Sequence, residues 1–208
     1  MNKENFKKQG YCVVKSAISD ELRDFVTQYA LFDEMRNFNP EGIGNQVANA
    51  HSKYADPAME TMLLHIHTVM EKNTGLKLYP TYSYYRVYRS GDDLKPHVDR
   101  PACEISATMC FNYSYDVSKY SWPIFIDNSK IDLHPGDLAI YKGCDLSHWR
   151  EPFDGTVDDW HVQGFFHFVD ANGPYVDHKF DKRENVGAIK DNELIHKIVK
   201  KSYIQYTK

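Results

Sequence analysis

From about residue 78 to residue 170 the chain is a series of short apolar or alternating runs, each followed closely by a turn signal. Residues 104–113 (EISATMCFNY) form a mostly apolar run, and Trp122 to Ile126 alternates into Asp127 and Asn128, residues that favour turns. His134-Pro135-Gly136-Asp137 is a tighter turn, because proline fixes φ and glycine accepts backbone angles that other residues avoid. It feeds Leu138 to Tyr141, which Lys142-Gly143-Cys144 closes, and the last apolar run is Val162 to Val169. Short strands at such close spacing predict a jelly-roll or a similar double-sheet barrel.

One set of residues within this stretch has the chemistry of a metal site. If Tyr82 to Tyr88 is a strand that turns at Ser90-Gly91-Asp92 into a run carrying His97, then His97 and Asp99, two apart, leave the same face. His148, delivered by a neighbouring strand, completes a set of two imidazoles and one carboxylate. That facial arrangement suits non-heme Fe(II) and leaves coordination positions free. His-x-Asp is a short pattern that chance supplies readily, so the strands around it give it its weight.

The order HVD, strand, Pro-Gly-Asp turn (HPGDLAIY), lone histidine (SHWREPF) and closing strand (HVQGFFHFVDANG) resembles the Fe(II)/2-oxoglutarate-dependent oxygenases, most of all their prolyl-hydroxylase-like branch. The upstream GYCVVKSAISDELRDFV is similar to the entry segment of that superfamily, so the resemblance covers most of the chain. It implies an α+β chain with a mainly β core, a double-stranded β-helix (jelly-roll) at about 76–170. Helices within 1–75 would pack on the outer sheet, and a loop and helix would follow at 171–208, all in one domain. It also implies Fe(II) held by His97, Asp99 and His148, with 2-oxoglutarate as cosubstrate and O2 as oxidant. The reaction would be hydroxylation of an aliphatic C–H bond in a small-molecule or peptide substrate, a prolyl residue or another amino-acid-like group. Trp122, Trp149 and Trp160, with Tyr84 and Phe165, would shield the site.

The resemblance places Tyr88 at the position of an aromatic hydroxyl that touches the cosubstrate, with Tyr84 and Arg86 on the same face. A buried arginine is costly unless paired, so an inward Arg86 predicts an anionic ligand; with the other face inward, Arg86 would be solvated. Members of the family place an Arg or Lys early on the closing strand, and Trp160 to His167 contains neither. His161 lies nearest that position, with Gln163 next on its face. Arg86 and Arg150 are better anchors for a carboxylate, since a guanidinium stays charged and presents a matching fork, whereas His161 would titrate near neutrality. The missing Arg or Lys motivates a second reading, an Fe(II) oxidase on the same scaffold that does not use 2-oxoglutarate. A third is a non-catalytic jelly-roll binding module in which the histidines are incidental.

The rest of the chain fits this frame. With 208 residues, 42% of them hydrophobic, it suits one domain with a sizeable core. A net charge of −4 argues against a nucleic-acid partner, and no run has the length of a signal peptide or a membrane span, so a cytoplasmic protein is expected. Cys12, Cys103, Cys110 and Cys144 lack metal or redox spacing and read as packing residues. Ser19-Asp20 opens a helix that carries Leu22, Phe25, Val26 and Tyr29 toward the outer sheet.

Residues 37–55, with one Pro, two Gly and four Asn, read as a long ordered loop. Within it His51, Ser52 and Tyr54 are candidates for substrate contact, the alternative for His51 being a solvent-exposed or capping role. Asp56-Pro57 starts a helix that runs to about Asn73 and stops at Gly75, with His65 and His67 on different faces. His134 and Asp137 read as turn residues, His178 and His196 as surface residues, and 171–190 as an outer loop. Leu194, Ile195, Ile198 and Val199 predict a final amphipathic helix that packs on the body or on a partner subunit, as a monomer or a homodimer.

Overall fold

A computed structural model describes residues 2–39, 46–48 and 50–188. In chain order the elements are α1 (Asn2–Gln9), β1 (Tyr11–Val14), α2 (Asp20–Asn37), β2 (His51–Tyr54), α3 (Pro57–His65), α4 (His67–Thr74) and β3 (Leu78–Arg89). They continue with β4 (Leu94–His97), β5 (Ile105–Tyr113), β6 (Ile124–Ile126), β7 (Ser129–Ile131), β8 (Leu138–Lys142), β9 (His148–Arg150) and β10 (Trp160–Asp170). Short 3-10 segments lie at Pro101–Cys103 and Val176–Lys182.

The strands form two antiparallel sheets. One has six strands in the order β1-β8-β5-β10-β3-β2, and the other has four in the order β4-β9-β6-β7. This is the jelly-roll architecture expected from the turn-punctuated stretch.

Strand alternation sorts side chains between the two faces of the six-stranded sheet. Tyr85 and Val87 of β3, Ile105, Ala107 and Met109 of β5, and Val162 and Phe166 of β10 face the helices. There they pack with Val26 and Ala30 of α2 and with Met59 and Leu63 of α3. Burying each large apolar side chain here contributes about 1.5–3 kcal/mol, which is what holds the helical layer on the sheet. The other face carries Tyr82, Tyr84, Arg86 and Tyr88, then Ser106 and Thr108, then His161, Gln163, Phe165 and His167. This polar and aromatic face looks toward the four-stranded sheet.

Local signals set the helix ends. The Ser19 hydroxyl accepts from Leu22 N–H at 3.4 Å, and Asp56 Oδ1 accepts from Ala58 N–H at 3.0 Å with Pro57 at the first helical position. Gly75 ends α4 at φ +77°, a left-handed angle that favours glycine.

The structure departs from the sequence reading in several places. The stretch 37–55 is not all loop: His51–Tyr54 pairs with β3 as an edge strand. His51 is fully buried, its Nδ1 accepting from Asn39 N–H at 3.1 Å and its Nε2 lying 3.0 Å from Asp33 Oδ2. The predicted helix from Pro57 breaks at Ile66 into α3 and α4. The turn expected at 90–92 does join β3 to the run that carries His97, and it crosses from the six-stranded to the four-stranded sheet. Phe25 points to solvent and not to the sheet. The predicted C-terminal helix and His196 lie outside the described residues. Among the described residues no helix is long and apolar enough to cross a membrane.

Candidate functional site

A cavity of about 1180 Å³ opens between the sheets, lined on one side by Tyr82, Tyr84 and Arg86 and on the other by His97, Asp99 and His148. The antiparallel pairing of β4 with β9 sets His97 opposite His148, with ring centroids 4.3 Å apart. β4 ends at His97, so Asp99 is not a strand residue as the sequence suggested. The Asp99 N–H donates to Gly143 O at 2.8 Å, and this bond turns its carboxylate back toward the two rings. Asp99 Oδ1 lies 3.9 Å from His97 Nε2 and 3.6 Å from His148 Nε2.

The protonation of the rings follows from their partners. His97 Nδ1 is 2.8 Å from Lys95 O and His148 Nδ1 is 3.0 Å from Leu146 O. A carbonyl only accepts, so Nδ1 carries the proton in each ring and both Nε2 lone pairs face the cavity. Burial, and then the neighbouring His148, push the His97 imidazole below its ordinary range and favour the neutral ring. For Asp99, burial alone would raise the carboxyl. His148, the electrostatic influence of His167 and the hydrogen bond from Ser106 outweigh it and bring Asp99 down to about 2. Two imidazole nitrogens and one carboxylate oxygen within 4.8 Å of one another fit a divalent first-row transition ion.

Several residues that the sequence did not single out hold Asp99 in place. Ser106 Oγ donates to Asp99 Oδ2 at 2.7 Å, leaving Oδ1 for the histidine side, and lies 2.9 Å from His167 Nδ1. His167 is neutral, since burial pushes its pKa down to about 4. Cys103 joins His167 and Asp99 within 4.8 Å, but burial, and then the Asp99 charge, hold its thiol protonated, and the Tyr82 hydroxyl lies 3.1 Å from its sulfur. This second group therefore serves as support behind Asp99. Gly143 packs directly against it: a Cβ there would lie 2.3 Å from Cys103 O and 2.4 Å from Asp99 Oδ2. Strand alternation in EISATMCFNY is the signal that could have found Ser106, whereas the sequence marked Gly143 only as part of the turn that closes a strand.

The candidate anchors separate clearly. Arg86 is buried, reaches the cavity wall and donates from Nη1 to the Tyr88 hydroxyl at 3.0 Å. Burial opposes its charge, but the surrounding Tyr88 and Tyr84 hydroxyls outweigh that and keep it protonated. Arg150 sits behind the wall. Its Nη1 donates to Trp122 O at 2.6 Å, its Nη2 to Gln163 Oε1 at 3.2 Å, and its guanidinium lies 4.4 Å from the Trp122 ring centre. His161 is wholly buried and held neutral by burial and then by Arg150, with Nε2 2.7 Å from Gln163 Oε1 and Nδ1 3.0 Å from the Tyr115 hydroxyl.

At the mouth the segment after β10, read from sequence as an outer loop, folds back to line the cavity with Asp181, Gly187 and Ala188. Phe180, Asp181 and Lys182 have φ of 56°, 54° and 61°, a left-handed run that costs roughly 1–3 kcal/mol per residue and needs outside support. Arg100 supplies it by pairing with Asp181 at 2.7 Å, and Tyr54 donates to the same carboxylate. Asp137, as expected, is a turn residue, accepting from Ser16 N–H and His134 N–H and pairing with Lys15.

No family model matches the sequence, and no curated protein shows significant sequence similarity to it. Solved structures do. A Pseudomonas putida prolyl-4-hydroxylase superposes with a TM-score of 0.62 at 15% identity, covering 80% of this chain and 98% of that one. The non-heme α-ketoglutarate-dependent carbocyclase SnoK from nogalamycin biosynthesis superposes at 0.64 with 15% identity, covering 93% of each chain. HygX from Streptomyces hygroscopicus, solved with nickel and 2-oxoglutarate bound, gives 0.59 at 10% identity over 81% of this chain and 86% of its own. With its two antiparallel sheets and facing helices, this chain thus has the double-stranded β-helix fold of the Fe(II)/2-oxoglutarate-dependent oxygenases.

Proposed function

We propose that this protein is a non-heme Fe(II)- and 2-oxoglutarate-dependent dioxygenase that hydroxylates an aliphatic C–H bond of a prolyl or other amino-acid-like substrate. The observation that carries this reading is the convergence of His97, Asp99 and His148 on one cavity that also presents the buried guanidinium of Arg86. In this reading the three residues hold the metal, and iron with 2-oxoglutarate and O2 supplies the oxidising chemistry when bound. The protein's own part is to bind, orient and shield. Arg86 offers two-point binding to the far carboxylate of the cosubstrate. The Tyr88 hydroxyl accepts from Arg86 and keeps its own proton to donate. Gln163, His161 and Arg150 form the hydrogen-bonded wall behind that anchor, and His161, held neutral, adds no charge to it.

An anaerobic titration of the metal-free protein with Fe(II) and then 2-oxoglutarate tests the reading. A visible metal-to-ligand charge-transfer band that saturates near one equivalent and is lost in Asp99→Ala is the expected result. In Arg86→Met the iron still binds, but 2-oxoglutarate affinity falls by about 30-fold or more, since losing one partner of a buried charged contact costs about 2 kcal/mol or more. The closing strand without Arg or Lys favours one alternative, an Fe(II) oxidase that does not use 2-oxoglutarate. Iron binding with no band would select it. Metal content unchanged in both His97→Ala and His148→Ala would leave only a binding module.

A further inference from the structure

Outside the histidines, the cationic side chains that line the cavity among the described residues are Lys53, Arg86 and Arg100. Lys53 pairs with Asp33, and Arg86 is the anchor assigned above to the cosubstrate. Arg100 is left for the substrate side, and its surroundings fit that use. Its Nη1 donates to Asp181 Oδ1 at 2.7 Å, and its guanidinium lies 4.6 Å from the centre of the Tyr82 ring. These two contacts fix the guanidinium without occupying all of it. Nη1 is its one nitrogen with a hydrogen bond among the described residues, and the side chain stays 48% exposed. Nε and Nη2 form an edge that matches a carboxylate through two parallel hydrogen bonds. Asp181 is 3% exposed and its other oxygen accepts from Tyr54, so both of its oxygens are engaged and the pair holds its geometry before any ligand arrives.

The position is also right. Arg100 directly follows Asp99 in the chain, and the Tyr82 ring beneath it lies 4.5 Å from the ring of His167. His167 and Asp99 in turn present ligand atoms within 4.8 Å of each other, so the guanidinium stands over the wall that carries the proposed metal ligand. Tyr82 and Arg86 are four residues apart on β3, roughly 13 Å, so the two guanidiniums mark separate subsites along that strand. Tyr54, Tyr84 and Phe165 supply aromatic lining, which suits an aliphatic body and not a second charge. A prolyl residue inside a peptide would bring only neutral amides to Arg100. A free amino acid brings a carboxylate.

We propose that Arg100 binds the carboxylate of a small free acid of amino-acid type, so that the substrate is a free molecule and not a residue within a peptide. This rests on the dioxygenase reading above and chooses between the substrates which that reading leaves open. The test uses the full-length chain under argon, loaded with Co(II) and 2-oxoglutarate after the Fe(II) charge-transfer band has been recorded. Titration calorimetry with the protein-forming L-amino acids and their carboxamides reads binding without turnover. At least one free acid should bind, with its carboxamide about 30-fold or more weaker. R100M should bring that acid to the level of its carboxamide, while 2-oxoglutarate affinity stays within about threefold of the unaltered protein. D181N removes the bracing charge but leaves the guanidinium, so the preference for the acid should persist. R100K, a cation without the fork, should keep part of it, and these two variants decide the matter if R100M does not fold. The proposal is overturned if no free acid binds, if acid and carboxamide bind alike, or if R100M and D181N lose the preference together, the sign of a brace and not a binding group. A fall in 2-oxoglutarate affinity in R100M as large as in Arg86→Met would also overturn it, by giving Arg100 to the cosubstrate. Absence of the band in the unaltered protein fails the dioxygenase reading and the proposal with it, whereas a band with no preference for an acid fails the proposal alone.

Discussion

Replacing Gly143 with alanine adds one methyl group at a crowded point behind the Asp99 carboxylate, a metal ligand in the proposed function. The new Cβ would lie 2.3 Å from Cys103 O, 2.4 Å from Asp99 Oδ2 and 2.7 Å from Ser106 Oγ, all inside the 3.0 Å that real Cβ contacts respect. Gly143 is not among the glycines with positive φ, so the cost is steric and not conformational. The Cys103 carbonyl is main chain and cannot swing aside, and Gly143 O is bonded to Asp99 N–H. The 143 main chain must therefore shift away from Cys103 O, carrying Asp99 with it through the Gly143 O bond, and the Asp99 carboxylate itself must move by about 1 Å to restore ordinary contact. Disturbing the outer support of a metal ligand lowers affinity by about 10- to 100-fold, or roughly 1.4–2.7 kcal/mol, with a further 1–3 kcal/mol from overpacking. Anaerobic titration calorimetry with Fe(II) or Co(II), alongside thermal unfolding, reads both. Metal affinity within twofold of the unaltered protein, in a folded G143A, would refute the reasoning. Ser106→Ala weakens metal binding in the same direction without overpacking, because it removes the hydrogen bond on Asp99 Oδ2.

Two further outcomes follow from groups other than the proposed metal ligands. Asp33 of α2 is buried against β2 and β3, where burial would raise its carboxyl but Lys53, Tyr85, Asn37 and His51 outweigh that and bring it to about 2. A carboxyl lowered on folding stabilises the protein above its unfolded value of about 4, and that contribution is lost as pH falls through about 2. Asp33→Asn should therefore cost about 1.5–3 kcal/mol at neutral pH. In urea titrations the gap to the unaltered protein should narrow between pH 4 and pH 2, and a gap that stays constant over that range would count against this network. Cys144 is half-buried, with its thiol pushed up to about 11 by burial and then by Asp99. Its alkylation by iodoacetamide should rise about tenfold per pH unit from pH 7 to pH 10, and a plateau near pH 8.5 would contradict the assignment.

Much of the architecture was legible because it rests on short-range signals. The period-two runs and the Pro-Gly-Asp turn announced β8 and its neighbours, and Ser19 and Asp56 announced two helix starts. Alternation along β3 placed Tyr84, Arg86 and Tyr88 on one face, where the structure also has them. What was not legible depends on which strands meet. β2 lacks apolar alternation and exists because Ser52 and Tyr54 find an edge on β3. His51 looked like a loop residue, yet it is buried because Asp33 and Tyr85, 18 and 34 positions away, supply its partners. Ser106, Gly143 and His167 gather around Asp99 only when β5, β8 and β10 lie side by side, and no local pattern encodes that. Asp181 reaches the cavity through a left-handed run of non-glycine residues, for which the sequence carries no turn signature.

The carbonyls that orient His97 and His148 each stand two residues upstream, at Lys95 and Leu146, and they belong to the main chain. Almost any residue can occupy either position and still present that oxygen. The feature of the centre with the finest chemical requirement, which nitrogen of each ring looks inward, is therefore the one least exposed to genetic drift. The fold itself is shared with enzymes at only 10–15% identity.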